Sequence, residues 1–175
     1  VQNSAKTFQI GKVTRSGNLG GVSSFSNDGV SGSNTWKVGN ASNFSWSGKV
    51  TGTGTSFVKT GTGKMTVSGV WDNTGTVRVS EGELVVTTGK KLGTGTLIVD
   101  DGATMSGVTG TGSLDNSSFT INGELRPGAY AKATTGKIGF GNKNVTFSST
   151  GRYVIWKASS NNTTIYDINK LTMNG

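Results

Sequence analysis

The sequence predicts an all-β chain built as a β-solenoid, with one strand-and-corner coil of about 20 or more residues stacked on the next. Three observations carry this. Apolar residues alternate at a spacing of two in several short segments, glycines punctuate those segments at recurring offsets, and no window carries apolar residues at i, i+3, i+4 and i+7 over three turns.

Residues 1 to 43 read as an N-terminal β-rich opening coil or cap, with "NTWKVGNASNFSWSG" as strands at its end. Residues 44 to 175 read as the repeats. The first of them holds "VTGTGTSFVKTGTGKMTVSG", a stretch so poor in residue types that it could pass for a linker. Phe57, Met65 and Val67 stand in it as inward anchors between glycine corners, which a linker has no reason to carry.

Four later segments share one grammar: "TVRVSEGELVV", "TLIVDDGATM", "SFTINGELRPG" and "NVTFSSTGRYVIW". Each opens on an apolar pair, Val77 and Val79, Leu97 and Val99, Phe119 and Ile121, Val145 and Phe147, as a strand with one buried face does. Each then reaches a corner glycine, Gly82, Gly102, Gly123 or Gly151, where a tight bend calls for positive φ. Leu84, Leu125 and Tyr153 follow two residues on as the next inward side chain. In "DDGATM" that place falls to Met105, one residue later, which implies a corner of different shape.

Composition sets the functional bounds. Only 31% of the 175 residues are hydrophobic, Gly numbers 29 and Pro 1, which suits strands and turns better than a helical bundle or a Pro-rich tail. With neither Cys nor His there is no disulfide, no zinc-type ligand set and no thiol or imidazole catalyst, and no cofactor is expected. Folding without redox chemistry suits a protein secreted unfolded. No segment reaches the length of an apolar spanning helix, and "VQNSAKTFQI" lacks the apolar region of a signal peptide. The chain stops at the corner dipeptide Asn174-Gly175, which reads as a piece of a longer polypeptide.

Seventeen Lys and Arg against nine Asp and Glu give a formal charge of +8, which favours anionic partners, above all acidic polysaccharide or cell-surface glycans. The charges are scattered singly except for Lys90-Lys91, so a solvated surface is the competing account. Nucleic acid is disfavoured, since only "GRYVIWK" interleaves basic and aromatic residues.

"GKVTGTGTSFVKTGTGKMTVSG" followed by "VWDNTGTVRVSEGELVV" resembles the autotransporter-associated β-strand repeat. The matching positions are Gly52, Gly54, Phe57, Lys59, Gly61, Gly63, Met65, Val67 and Gly69, then Asn73, Gly75, Val77, Gly82 and Leu84. "GELRPG" and "YDINKLTMNG" are similar to later passenger segments, while "WDNTG" departs from the usual Tyr-x-Gly. The resemblance covers residues 44 to 175. It implies a single-stranded, right-handed parallel β-helix, exported to the surface of a Gram-negative bacterium or secreted.

Chemistry must then come from charged and aromatic side chains. Asp100, Asp101, Glu81 and Glu83 near Arg78, Lys90 and Lys91 are the material for a lyase with a Lys or Arg base and a carboxylate-bound calcium. Glu81 and Asp101 at equivalent corners would lie about 5 Å apart, to be screened by Arg78 or Lys90, or bridged by calcium.

Aromatic residues Trp36, Phe44, Trp46, Trp71, Tyr130, Tyr153, Trp156 and Tyr166 are core, end-cap or sugar platform, with Trp46 and Trp71 expected to be the most exposed. The candidate glycan or anion contacts are therefore Trp46, Trp71, Lys90, Lys91, Arg152 and Trp156. Thr51, Thr53, Thr55, Thr60, Thr62 and Thr66 would serve an ice-binding face only if they shared one side. A non-enzymatic stalk, spacer or adhesive surface is the favoured function, and a polysaccharide-lyase-like or glycan-binding module the alternative. Unpaired strand edges at the coil ends could also drive end-to-end association.

Overall fold

In a computed structural model of the chain, the described residues are 6–10, 17–18, 24–25, 33–107, 110–128, 136–154, 157–158, 161–162 and 164–175. Every regular element among them is a β-strand. The strands stack in parallel about 21 residues apart into a β-solenoid of about five turns.

The apolar pairs seen in the sequence form the first sheet. Phe57, Val77, Leu97, Phe119 and Val145 lie in one register column, and Lys59, Val79, Val99, Ile121 and Phe147 in the next. All ten are at most 1% exposed. Because parallel pairing puts each residue beside its counterpart one coil away, a pair buried in one coil is buried in all of them.

A second sheet faces the first across the core. Its inward column runs Phe44, Met65, Leu84, Met105, Leu125 and Tyr153. Met105 thus takes the inward place that the spacing assigned to it. The residues two positions before this column are Gly82, Ala103, Gly123 and Gly151. The coil with Ala103 puts its glycine one residue earlier, at Gly102, and so has the corner of different shape.

Positive φ accounts for only two of these four corner glycines, Gly82 (64°) and Gly102 (75°). Gly123 and Gly151 correct the expectation. Close stacking is the reason for both: a Cβ on Gly123 would sit 2.2 Å from the carbonyl oxygens of Ala103 and Asp100, and one on Gly151 2.1 Å from that of Ile121. A coil laid this tightly on its neighbour leaves no volume for a side chain.

The third side of the coil is made of shorter pieces. Val50 bridges to Trp71, and Gly93 N–H donates to the Trp71 carbonyl at 3.2 Å, so Trp71 sits in the ladder between two coils. Buried asparagines hold the corners nearby. The Asn73 amide donates to the carbonyls of Thr55 and Gly75, and the Asn116 amide to those of Leu92 and Gly95. These bonds satisfy carbonyls that irregular backbone leaves without ladder partners.

No flat hydroxyl face forms. On strand Thr55–Thr60, Thr55 is fully buried and Thr60 faces the other way.

Candidate functional site

Three of the six expected contact residues meet at the third side, where segment Gly69 to Trp71 lies against Gly89 to Lys91 of the following coil. A cleft of about 140 Å³ opens between them, lined by Gly69, Val70, Trp71, Gly89, Lys90 and Lys91. Two glycines shape it for different reasons. A Cβ on Gly69 would fall 1.7 Å from the Gly48 carbonyl oxygen, so Gly69 is fixed by contact with the coil below. Gly89 has φ of 70° and open space beside it, so it is needed for the turn and leaves the mouth of the cleft unfilled.

Trp71 forms the wall, not a platform. It is 3% exposed, as is Trp46, which corrects the expectation that these two would be the exposed tryptophans. The physical reason is shortage of apolar volume. Phe57, Trp46 and Trp71 pack ring on ring, with Phe57 and Trp71 centroids 4.6 Å apart and Trp46 and Trp71 6.0 Å apart, and fill an interior that smaller side chains would leave open. Neither indole can offer a full face to a sugar ring. Trp71 Nε1–H, buried at the base of this wall, has no acceptor among the described residues.

Charge and an apolar lip complete the site. Val70 is 55% exposed at the rim. Lys90 is half-buried, with its backbone N–H given to the Thr87 carbonyl, and its side chain forms no ion pair among the described residues. Lys91 is exposed and pairs with Asp115. No carboxylate lines the cleft, so it presents two ammonium groups around a partly apolar hollow, a setting for an anionic group.

The other expected contacts lie apart. Arg152 projects from the second sheet, in the column that runs Lys64, Glu83, Thr104, Glu124, Arg152, and pairs with Glu124 at 2.7 Å. Glu124 also takes Arg126. Trp156 and Tyr130 lie outside the described residues.

The acidic cluster is dispersed by register. Asp100, rather than Asp101, receives Arg78 Nε at 2.7 Å and the Ser80 hydroxyl at 2.9 Å. Glu81 turns to the preceding coil and accepts the Gly61 N–H at 3.1 Å, while Glu83 accepts the Ser106 hydroxyl. Asp101 is exposed. Among the described residues, no three acidic side chains gather as a metal site would require.

Sequence reasoning did not single out Lys59 as a buried charge. It occupies an inward column otherwise filled by Val79, Val99, Ile121 and Phe147, and is 0% exposed. Its ammonium donates to the carbonyls of Thr60 (2.9 Å) and Gly61 (2.7 Å) in its own corner and of Glu81 (3.0 Å) in the next. One side chain thereby ties two coils with all three of its donors. Burial pushes its pKa down from 10.5 to about 8, against the opposing pull of Glu81 and Glu83. The available signal was an alternation that places Lys59 inward with Phe57.

No protein-family model, no curated protein and no solved structure matches this chain.

Proposed function

We propose that this chain is a non-enzymatic segment of a secreted or cell-surface β-solenoid, serving as a stalk, spacer or adhesive surface. The observation that carries the reading is the unbroken pair of inward columns in the first sheet, whose members repeat in register from coil to coil. Such a stack has its length set by coil number, and about five turns at about 4.8 Å each give a rise of about 24 Å. Its outward positions are free to vary, which is how a spacer also becomes a binding surface.

The resemblance of residues 44 to 175 to autotransporter-associated β-strand repeats supports a place at the outer surface of a Gram-negative bacterium or outside the cell. The absence of Cys supports it too, since export in an unfolded state then needs no thiol chemistry.

The cleft at Trp71, Lys90 and Lys91 favours a second reading, an accessory module for acidic glycans. An array of sulfated, uronate-containing and neutral glycans, run beside an unsaturated-uronate absorbance assay, tests both. Product absorbance would refute the non-enzymatic reading. Binding of acidic but not neutral glycans, weakened about tenfold or more by Lys90→Gln with Lys91→Gln, would establish the module. Silence in both assays supports the stalk.

A further inference from the structure

The last strand of the first sheet breaks the burial rule that every earlier strand obeys. Strand Thr164–Met173 pairs in parallel with Gly136–Phe147, setting Leu171 beside Val145 and Met173 beside Phe147. Both therefore continue the inward columns. Yet Leu171 is 48% exposed and Met173 60% exposed, where Val145 and Phe147 are at most 1% exposed. The far edge of this strand pairs with no other among the described residues. An apolar pair and a row of backbone donors and acceptors are thus presented together, as a template for one more parallel strand.

A strand of the required pattern stands at the opposite edge of the same sheet. Lys6–Ile10, "KTFQI", pairs only with Asn34–Gly39, and its register puts Phe8 in the column of Trp36 and Phe57 and Ile10 in that of Val38 and Lys59. Phe8 and Leu171 belong to one column, Ile10 and Met173 to the other.

We propose that the Leu171 and Met173 end of one molecule receives the Lys6–Ile10 edge of a second copy, extending the first sheet from molecule to molecule. Carrying the register across the junction sets Thr7 beside Lys170, Phe8 beside Leu171, Gln9 beside Thr172 and Ile10 beside Met173. Apolar meets apolar, polar meets polar, and no like charges oppose one another at these four positions. The interface is head-to-tail, so its two halves are different surfaces, and association runs on into filaments instead of closing as a dimer.

The chain has no cysteine, which makes the register directly testable by disulfide trapping. Neighbouring residues in a parallel pair are close enough for a disulfide. Gln9→Cys and Thr172→Cys variants, mixed and oxidised, are expected to give the mixed dimer in large excess over either homodimer, and the double variant a ladder of oligomers. Sedimentation velocity of the unmodified chain from micromolar to hundreds of micromolar should show species beyond the dimer. Leu171→Lys with Met173→Lys should leave only monomer, with a circular dichroism spectrum unchanged because both positions are already exposed. A monomer at all concentrations would overturn the proposal and mark this end as the seat of a different coil, such as a continuation of a longer chain. Homodimers of Thr172→Cys in excess would overturn the head-to-tail arrangement.

Discussion

Replacing Lys59 by Met sets two opposed effects against each other. The ammonium makes three bonds to backbone carbonyls at 2.7 to 3.0 Å, and a bond from a charged donor contributes about 1.5–3 kcal/mol, for a gross loss of about 4–9 kcal/mol. Against this stands the relief of a buried charge. The fall in pKa from 10.5 to about 8, at about 1.4 kcal/mol for each tenfold change, corresponds to about 3 kcal/mol. Screening at the part-buried carbonyls reduces that to about 1–3 kcal/mol. Met adds apolar contact with the column, so the net expectation is a loss of about 2–4 kcal/mol, read as a lower urea midpoint at pH 7.

The same numbers fix a sign for pH. Between about 8 and 10.5 the folded chain holds fewer protons on Lys59 than the unfolded chain does, so stability from this group rises with pH through that window. The difference between wild type and Lys59→Met should therefore be flat below about pH 7.5 and widen by about 1–3 kcal/mol towards pH 10.5, other lysines cancelling in the comparison. A difference that narrows over this range would show that the carbonyl bonds outweigh desolvation. Lys59→Met as stable as wild type at pH 7 would refute the clamp altogether.

Three further outcomes are expected from equilibrium unfolding. Gly95→Ala, whose Cβ would meet the Gly75 carbonyl oxygen at 1.9 Å, should destabilise by about 3 kcal/mol or more, whereas Gly102→Ala, strained at φ of 75° but in open space, should lose only about 1–2 kcal/mol. Asn116→Ala leaves the Leu92 and Gly95 carbonyls without their buried donor and should lose about 2–4 kcal/mol. Arg78→Ala, with the arginine about half exposed in its pair with Asp100, should change stability by no more than about 1 kcal/mol, an effect that fades in molar salt.

Much of the fold was legible in one dimension because parallel stacking repeats local pattern. Val77 and Val79, Leu97 and Val99, Phe119 and Ile121, Val145 and Phe147 each announce a strand, and the distance between pairs announces the coil. Even the displaced corner at Gly102 and Met105 could be read, since a shift of one residue changes which side chain points inward.

The site was legible only in part. Lys90-Lys91 stood out as the only basic pair, but its meeting with Val70 and Trp71 depends on how two irregular corners stack. The exposure of Trp46 and Trp71 was misjudged because ring packing with Phe57 is a contact between coils, invisible to spacing within one. The acidic residues near residues 81 and 100 form separate pairs because a single step of register decides which carboxylate faces Arg78.

What the sequence by itself determined is the period: strand, corner and strand again, all-β, with inward residues named in advance. What only the tertiary structure decided is everything that depends on the distance between neighbouring coils. Gly123 is glycine because a carbonyl lies where its Cβ would be, Lys59 can sit inward because three carbonyls converge on its ammonium, and Leu171 and Met173 are open because no coil covers them. Periodicity is carried along the chain, whereas close approach between coils belongs to the stack.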